Sequence, residues 1–258
     1  MGAVDSIFRL DGKIALVTGA SSGLGRHFAL LLARAGAAVA IAARRADKLH
    51  DLARELEALG ARAQAVDLDV TDAASVVAAF DRLCGTLGCP DVIVNNAGVT
   101  VTKPLLQQTE ADWDSVIDTN LKGGWLVAQE GARRMVAAGK TGCLVNVASI
   151  LGERVAGGVA PYAISKAGVV QATRAQALEL ARHGIRANAL LPGYIVTDLN
   201  RDFLESAAGD KLRARIPTRK FGQLHDLDGP LLLLASDAGR HMSGAAIAVD
   251  GGHLTSSL

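Results

Sequence analysis

The sequence predicts a doubly wound α/β fold: a parallel sheet of about seven strands in a single domain, with helices on both faces. Three observations carry this. Short apolar runs alternate with longer stretches of helical period almost to the C-terminus. The runs are apolar on both faces, as strands covered from two sides must be. A glycine-rich turn joins the first run directly to the first helical stretch. The strand runs are 13–18, 38–43, 62–67, 91–94, 142–148, 186–191 and 246–249. Helical periods cover 23–35, 47–59, 72–87, 110–138, 159–183 and 225–235. No proline-rich or glycine/serine-rich linker divides the chain, so it reads as one domain over residues 1–258. Only 197–222 breaks the rhythm, and a long irregular stretch inside a compact domain reads as a substrate loop.

Composition excludes several classes of function. Half of the residues are hydrophobic and 21% are charged, which a disordered chain would not combine. With 27 basic and 26 acidic side chains the formal charge is +1, and with only 3% aromatics there are few rings for bases to stack on; nucleic acid is not an expected partner. The longest apolar runs fall short of the roughly 20 residues that cross a bilayer, so no membrane association is expected. Cys84, Cys89 and Cys143 form no CxxC pair and have no histidine at ligand spacing. They read as buried small apolar residues, with no metal or disulfide, in a reducing, cytoplasmic setting. The six histidines (27, 50, 183, 225, 241 and 253) form no cluster and read as surface or capping residues.

The turn after the first strand is Thr18-Gly19-Ala20-Ser21-Ser22-Gly23-Leu24-Gly25. Glycines 19, 23 and 25 allow a tight turn, close backbone approach to a pyrophosphate and tight helix–sheet packing, and the helix N-terminus offers N–H groups to the anion. The strand–loop–helix context makes this a dinucleotide site in a Rossmann-type fold. The plainer alternative is a βα turn without a ligand. An NAD site would place an acidic residue about twenty positions on. Here that position holds Ala43, followed by Arg44 and Arg45, and the first carboxylate is Asp47. Arginines in this place suit a 2′-phosphate, so NADP(H) is expected over NAD(H). The other reading of Arg44 and Arg45 is a pair of solvated loop residues.

With its GxxxGxG spacing, Asn95-Asn96-Ala97-Gly98, Asn120, Ser149, Tyr162-x-x-x-Lys166 and Pro192-Gly193 in this order, the chain resembles the short-chain dehydrogenase/reductase family. The likeness runs over essentially the whole sequence and points to the single-domain branch of about 250 residues. It implies that Gly19, Ser21, Ser22, Gly23, Leu24 and Gly25 hold the phosphates and that Asp69 and Val70 flank the adenine. Asn96, Ala97 and Gly98 would then line the middle of the cofactor. Pro192, Gly193, Ile195 and Thr197 would hold the nicotinamide end.

Tyr162 and Lys166 are four residues apart in a helical pattern and share a face. A free tyrosine has a pKa near 10 and is a sluggish acid or base at neutral pH. A nearby ammonium and an oxidised nicotinamide ring are expected to favour the phenolate and so tune it for proton transfer to a carbonyl oxygen. By resemblance, Ser149 holds the substrate oxygen, Lys166 also bonds the nicotinamide ribose, and Asn120 holds a water linking Lys166 to solvent. Asn120, Ser149, Tyr162 and Lys166 are thus the expected catalytic residues, with Tyr162 and Lys166 also touching cofactor.

The expected activity is NADPH-dependent reduction of a ketone, or the reverse oxidation of a secondary alcohol, on an apolar ketone or a 3-oxoacyl thioester. The alternatives are a sugar or polyol dehydrogenase and a non-catalytic NADPH-binding sensor. By position Val99, Val101, Ile150, Leu151, Val155, Tyr194 and the 197–216 segment should face the substrate. Glu153 and Arg154 read either as hydroxyl-binding groups or as a solvated rim pair. Residues 201–220 carry six basic side chains against three acidic ones, an excess that could draw an acidic substrate or could be a solvated helix face. The resemblance also implies a homotetramer paired through the helices around 110–138 and 159–183, where Ala160, Ala163, Ala167 and Gly168 would permit close packing.

Overall fold

Seven parallel strands form one sheet of order β3-β2-β1-β4-β5-β6-β7. The computed structural model describes residues 6–198 and 200–256, so the ends of the expected 1–258 domain and Leu199 of the expected substrate loop lie outside the described residues. The strands are β1 (Ile14–Thr18), β2 (Ala38–Ala43), β3 (Ala63–Asp67), β4 (Val92–Asn95), β5 (Gly142–Val147), β6 (Ile185–Pro192) and β7 (Ala246–Val249). Their two-residue alternation sorts side chains between two cores. Ala15 and Val17 face the layer of α1 (Gly23–Arg34), α2 (Ala46–Ala58) and α9 (Asp228–Ala235). Ile14 and Leu16 face α3 (Ala73–Thr86), α5 (Gly124–Ala137) and α6 (Ala160–Leu180). Phe28 fills the first core and Phe80 the second, each essentially without solvent contact.

Chain order reverses at β1, which pairs with β2 on one side (Ile14 opposite Ala38) and with β4 on the other (Ala15 opposite Val92). Connections leave the two halves of the sheet in opposite directions there, which opens a crevice at the carboxyl ends of the strands. The loops after β1, β4, β5 and β6 all emerge on that edge, and they carry the residues singled out above.

Two expected elements differ. The helix expected over 110–138 is α4 (Glu110–Ile117), a π-helical turn (Asp118–Gly123) and α5. A π turn inserts a residue without breaking the backbone spiral, so hydrophobic periodicity does not reveal it. The segment 197–222 is not irregular throughout, since it contains α7 (Arg201–Leu204) and α8 (Ala207–Arg213). Local interactions suffice for these short helices. Ser206 Oγ caps Gly209 N, and Arg201–Glu205 and Asp210–Arg213 pair at helical spacing.

Candidate active site

The phosphate loop is set by backbone contacts. Gly19 has φ +65°, and a Cβ there would stand 2.8 Å from Ala97 Cα. A Cβ at Gly25 would stand 2.4 Å from the Gly19 carbonyl oxygen. Neither position can take a side chain without moving main chain. The Asn96 side chain, in the position expected to line the cofactor, also clamps this loop: its Nδ2 donates to the carbonyls of Thr18 (3.0 Å) and Gly19 (3.3 Å). The Thr18 hydroxyl accepts from Asn96 N and Ala97 N, tying the ends of β1 and β4 together. Gly25→Val is expected to abolish cofactor binding and to lower the thermal midpoint, measured by ligand-dependent melting.

The residues fit a phosphorylated dinucleotide. Ser22 precedes α1 in an extended conformation and makes no side-chain cap, so the first N–H groups of the helix remain available to an anion. Arg45 crosses from the end of β2 to the loop, donating to Ser21 Oγ (2.7 Å) and Ser22 Oγ (2.8 Å). It is therefore fixed beside the phosphate loop and not loosely solvated. Arg44 lies within electrostatic reach of Asp69, whose carboxyl is held below the usual range chiefly by the Thr71 backbone N–H and hydroxyl. Thr197 stands across the crevice, its Cγ2 4.0 Å from where a Cβ at Gly23 would be. Asn200 fixes this far loop, donating to the Ile195 carbonyl and accepting from Thr197 N. Gly193 N donates to the Val249 carbonyl, which holds the Pro192–Gly193 turn against the end of β7.

At the centre, Ser149, Tyr162, Lys166 and Asn120 come together. Ser149 follows β5 in extended backbone and accepts from Leu151 N (3.1 Å), and its hydroxyl faces Tyr162 closely enough to favour the phenolate. Lys166, 4% exposed, donates to the Val147 carbonyl (2.8 Å) and sits 5.6 Å from the centre of the Tyr162 ring. A Cβ at Gly98 would stand 3.3 Å from Asn120 Oδ1 and 3.7 Å from Lys166 Nζ, so both groups border the same small space. The Asn120 side chain is itself engaged: Oδ1 accepts from Val99 N, and Nδ2 donates to Val99 O and Ser165 Oγ. Its amide fixes the loop after β4.

The lowering expected for Tyr162 draws on an oxidised nicotinamide ring as well as on Lys166; the protein's own groups act on the phenol as follows. Burial pushes the Tyr162 phenol above its ordinary pKa, against the opposing Ser149 hydroxyl, and neighbouring Tyr194 adds to the rise. Burial also lowers Lys166 to about 8. The site without cofactor holds a neutral phenol at pH 7, ready to give a proton. A lysine lowered from its unfolded value of 10.5 to about 8 is bound by fewer protons when folded, so its contribution to stability grows as pH rises between those values. The thiols of Cys89 and Cys143, both pushed up to about 11 by burial, act in the opposite sense over an overlapping range. The readout is therefore comparative. From pH 7.5 to 9.5 the urea midpoint of wild type should rise relative to that of Lys166→Met.

Some expected neighbours are elsewhere. Ile150 is 2% exposed and belongs to the interior, and Val155, 88% exposed, points to solvent. Arg154 does not pair with Glu153: its guanidinium donates to the His253 carbonyl and to Ser256 Oγ (2.8 Å). His27 is no surface residue but meets Asp228 across the α1–α9 contact at 2.5 Å. Of the cysteines only Cys143 is buried; Cys84 and Cys89 are partly exposed. Among the described residues no group of histidines, cysteines and acids could hold a metal ion, and no helix is long and apolar enough to cross a membrane.

The sequence reading missed a buried amide network beneath the site. Asn95 Nδ2 donates to Asn146 Oδ1 (2.9 Å) and the Gly124 carbonyl, while Asn146 Nδ2 donates to Thr173 Oγ1 and Gln176 Oε1. It joins β4 and β5 to α5 and α6. The available signal was a polar amide at the same level of two otherwise apolar central strands.

Comparison with known proteins agrees with this geometry. The family model described as enoyl-(acyl carrier protein) reductase matches residues 19–253. The chain belongs to the short-chain dehydrogenase/reductase family. It is an oxidoreductase of that family, with the family's seven-stranded single-domain fold. The 3-oxoacyl-(acyl-carrier-protein) reductase of Staphylococcus aureus is 39% identical over 241 residues, covering 93% of this chain and 97% of that protein. Gluconate 5-dehydrogenase of Gluconobacter oxydans is 36% identical over 253 residues, 98% of each chain. The crystal structure of a gluconate 5-dehydrogenase from Burkholderia cenocepacia, in complex with NADP and tartrate, superposes with a TM-score of 0.94 at 38% identity, covering 98% of this chain and all of that one.

Proposed function

We propose that this short-chain dehydrogenase/reductase is an NADP(H)-dependent carbonyl reductase, reversible to a secondary alcohol dehydrogenase. The observation that carries the reading is the convergence of Tyr162, Ser149 and Lys166, with the Lys166 ammonium 5.6 Å from the centre of the half-buried Tyr162 ring. NADPH, when bound, supplies the hydride. Ser149 donates to the substrate carbonyl oxygen and fixes it beside Tyr162. Tyr162 gives that oxygen its proton, and Lys166 stabilises the phenolate that remains. Asn120 keeps the Gly98–Val99 turn in place in front of Lys166. Arg45, aligned on Ser21 and Ser22, favours the 2′-phosphate, in keeping with NADP in the Burkholderia relative.

The relatives named above are a 3-oxoacyl-(acyl-carrier-protein) reductase and gluconate 5-dehydrogenases, so we take the substrate pair to be either a 3-oxoacyl ketone and its alcohol or a sugar acid and its keto form. The test is the initial rate of NADPH consumption, with NADH in parallel, on apolar ketones, diketones, keto sugars, keto acids and acetoacetyl thioesters. Turnover of one class that is lost in Tyr162→Phe supports the reading. Stoichiometric NADPH binding without turnover of any of them would favour a sensor.

The protein works in the cytoplasm, consistent with three free cysteines. It assembles as a homotetramer through α5 and α6, where Trp125, Val136, Ile164 and Leu178 are exposed. The small residues singled out on α6 contribute less than expected: Ala163 is 6% exposed, and Gly168 packs against Leu121 of its own chain. Sedimentation equilibrium should give four times the 26.6 kDa chain mass.

A further inference from the structure

We propose that Arg154 is a positioning residue: by holding the C-terminal turn it fixes the wall of the substrate pocket across from Ser149, and with it the affinity for the ketone. The proposal rests on the reading of Ser149, Tyr162 and Lys166 as the reacting end of that pocket. Arg154 ends a short, internally bonded segment that begins at Ser149. The Ser149 hydroxyl accepts from Leu151 N (3.1 Å) and its carbonyl from Gly152 N (2.9 Å), and the Ile150 carbonyl accepts from Arg154 N (2.9 Å). Gly152 lies flat on α6, where a Cβ would stand 2.8 Å from the Lys166 carbonyl oxygen. The main chain of Arg154 is thus held by the same residues that place the Ser149 hydroxyl. Its side chain reaches away from them. The guanidinium donates to the His253 carbonyl and to Ser256 Oγ (2.8 Å), and the Ser256 hydroxyl donates to that same carbonyl (2.9 Å), so the three groups close a triangle of hydrogen bonds. Arg154 is therefore neither a hydroxyl-binding group nor half of a solvated rim pair.

The turn that Arg154 grips is built into the opposite wall. The Asp250 carboxylate shapes it by accepting from Gly252 N (2.9 Å) and Leu254 N (2.7 Å). The Gly251 carbonyl accepts from Thr218 N (3.3 Å), and the His253 ring lies 5.8 Å from that of Tyr194, centre to centre. Tyr194 stands 6.4 Å from Phe221, its carbonyl accepts from Gly222 N (2.9 Å), and Val196 N donates to the Gly222 carbonyl (2.8 Å). The loop after β6, the 217–222 stretch and the C-terminal turn are thus one bonded unit. At its base the unit is continuous with β6 and β7, which pair in the sheet. At its far end, among the described residues, the bonds of Arg154 are the only hydrogen bonds between it and the segment from Ser149 to Arg154. A crevice closed by strand pairing at one end takes its width from whatever bridges the other. Without the bridge the wall is in place for only a fraction of the time, and the apparent affinity for substrate falls by that fraction. Once substrate is bound the wall is in place, so the loss appears in KM and not in kcat.

The test combines hydrogen exchange with kinetics on the full-length protein. Arg154→Met keeps an unbranched stem and removes the donors. With NADP+ saturating, amide exchange in this variant should speed up about tenfold in peptides spanning 193–197, 217–222 and 250–256, as loss of a charged hydrogen bond predicts, and stay within about twofold in those spanning 18–25 and 142–149. Unchanged exchange at 193–197 and 217–222, or faster exchange confined to 250–256, would overturn the proposal whatever the activity. Turnover is measured with NADPH on acetoacetyl-CoA and on 5-ketogluconate. On the one that wild type reduces, Arg154→Met should raise KM about tenfold, with kcat and the dissociation constant of NADPH within about twofold of wild type. Arg154→Lys keeps one donor for the His253 carbonyl and should recover part of the KM. Ser256→Ala should raise KM about threefold and add nothing to Arg154→Met, since both act through one hydrogen-bonded triangle. A fall in kcat with unchanged KM, or additive losses in the double variant, would overturn the positioning role. Faster exchange across the whole wall in a protein that reduces no ketone would retain the Arg154 bridge and overturn the reductase; ketone reduction with unchanged exchange in Arg154→Met would do the reverse.

Discussion

Tyr162→Phe is expected to lower kcat by about 10²–10⁴-fold, the range spanned by a positioned general acid, while NADPH affinity stays within about threefold of wild type. The substitution deletes one oxygen and keeps the ring, so the packing of α6 and the position of Lys166 behind it are preserved. What is lost is the hydroxyl of the ring that lies against Lys166. Single-turnover rates and fluorescence titration with NADPH measure the two quantities separately. Turnover retained in the variant would remove Tyr162 from the chemistry, and Ser149, whose hydroxyl faces it, would be the group to examine next.

Arg45→Ala is expected to weaken NADPH by about 10- to 100-fold, the value of a charged hydrogen bond to phosphate, and to change NADH by less than about threefold. The selectivity follows from geometry. The guanidinium is held against Ser21 and Ser22, beside the uncapped start of α1, and the residue that would accept bonds from an unphosphorylated ribose in an NAD site is Ala43 here. Because Arg45 is exposed and pairs with no acid among the described residues, the thermal midpoint of the protein without cofactor should not move. The ratio of kcat/KM for NADPH over NADH is the deciding measurement. Equal efficiencies in wild type would overturn the assignment before any variant is made.

Much of this was legible in residue order because the relevant physics is local. Strand and helix periods, the Gly19–Gly25 loop that no side chain could enter, the acid missing at Ala43 and the four-residue spacing of Tyr162 and Lys166 are each fixed by neighbours in sequence. The π turn at Asn120 was not legible, since one inserted residue leaves the apolar pattern of 110–138 almost unchanged. The short helices of 197–222 were missed for another reason: caps and ion pairs at Ser206, Arg201 and Asp210 outweighed a sequence without clear periodicity.

Residue order was enough for the fold and the cofactor and pointed to the groups proposed to react. Their surroundings came only from the packing of distant segments. Partial burial of the Tyr162 phenol raises it above its ordinary pKa in the protein alone, an effect of packing that the spacing to Lys166 does not reveal. Asn96 became a clamp and Asn120 a brace once their amides found carbonyls on other strands and loops. Arg154 and His253, from distant segments, meet because the end of β7 carries the C-terminal turn back to the loop after Ser149. Side chains acquire their electrostatic roles from what the chain brings next to them, and distance along the sequence does not carry that information.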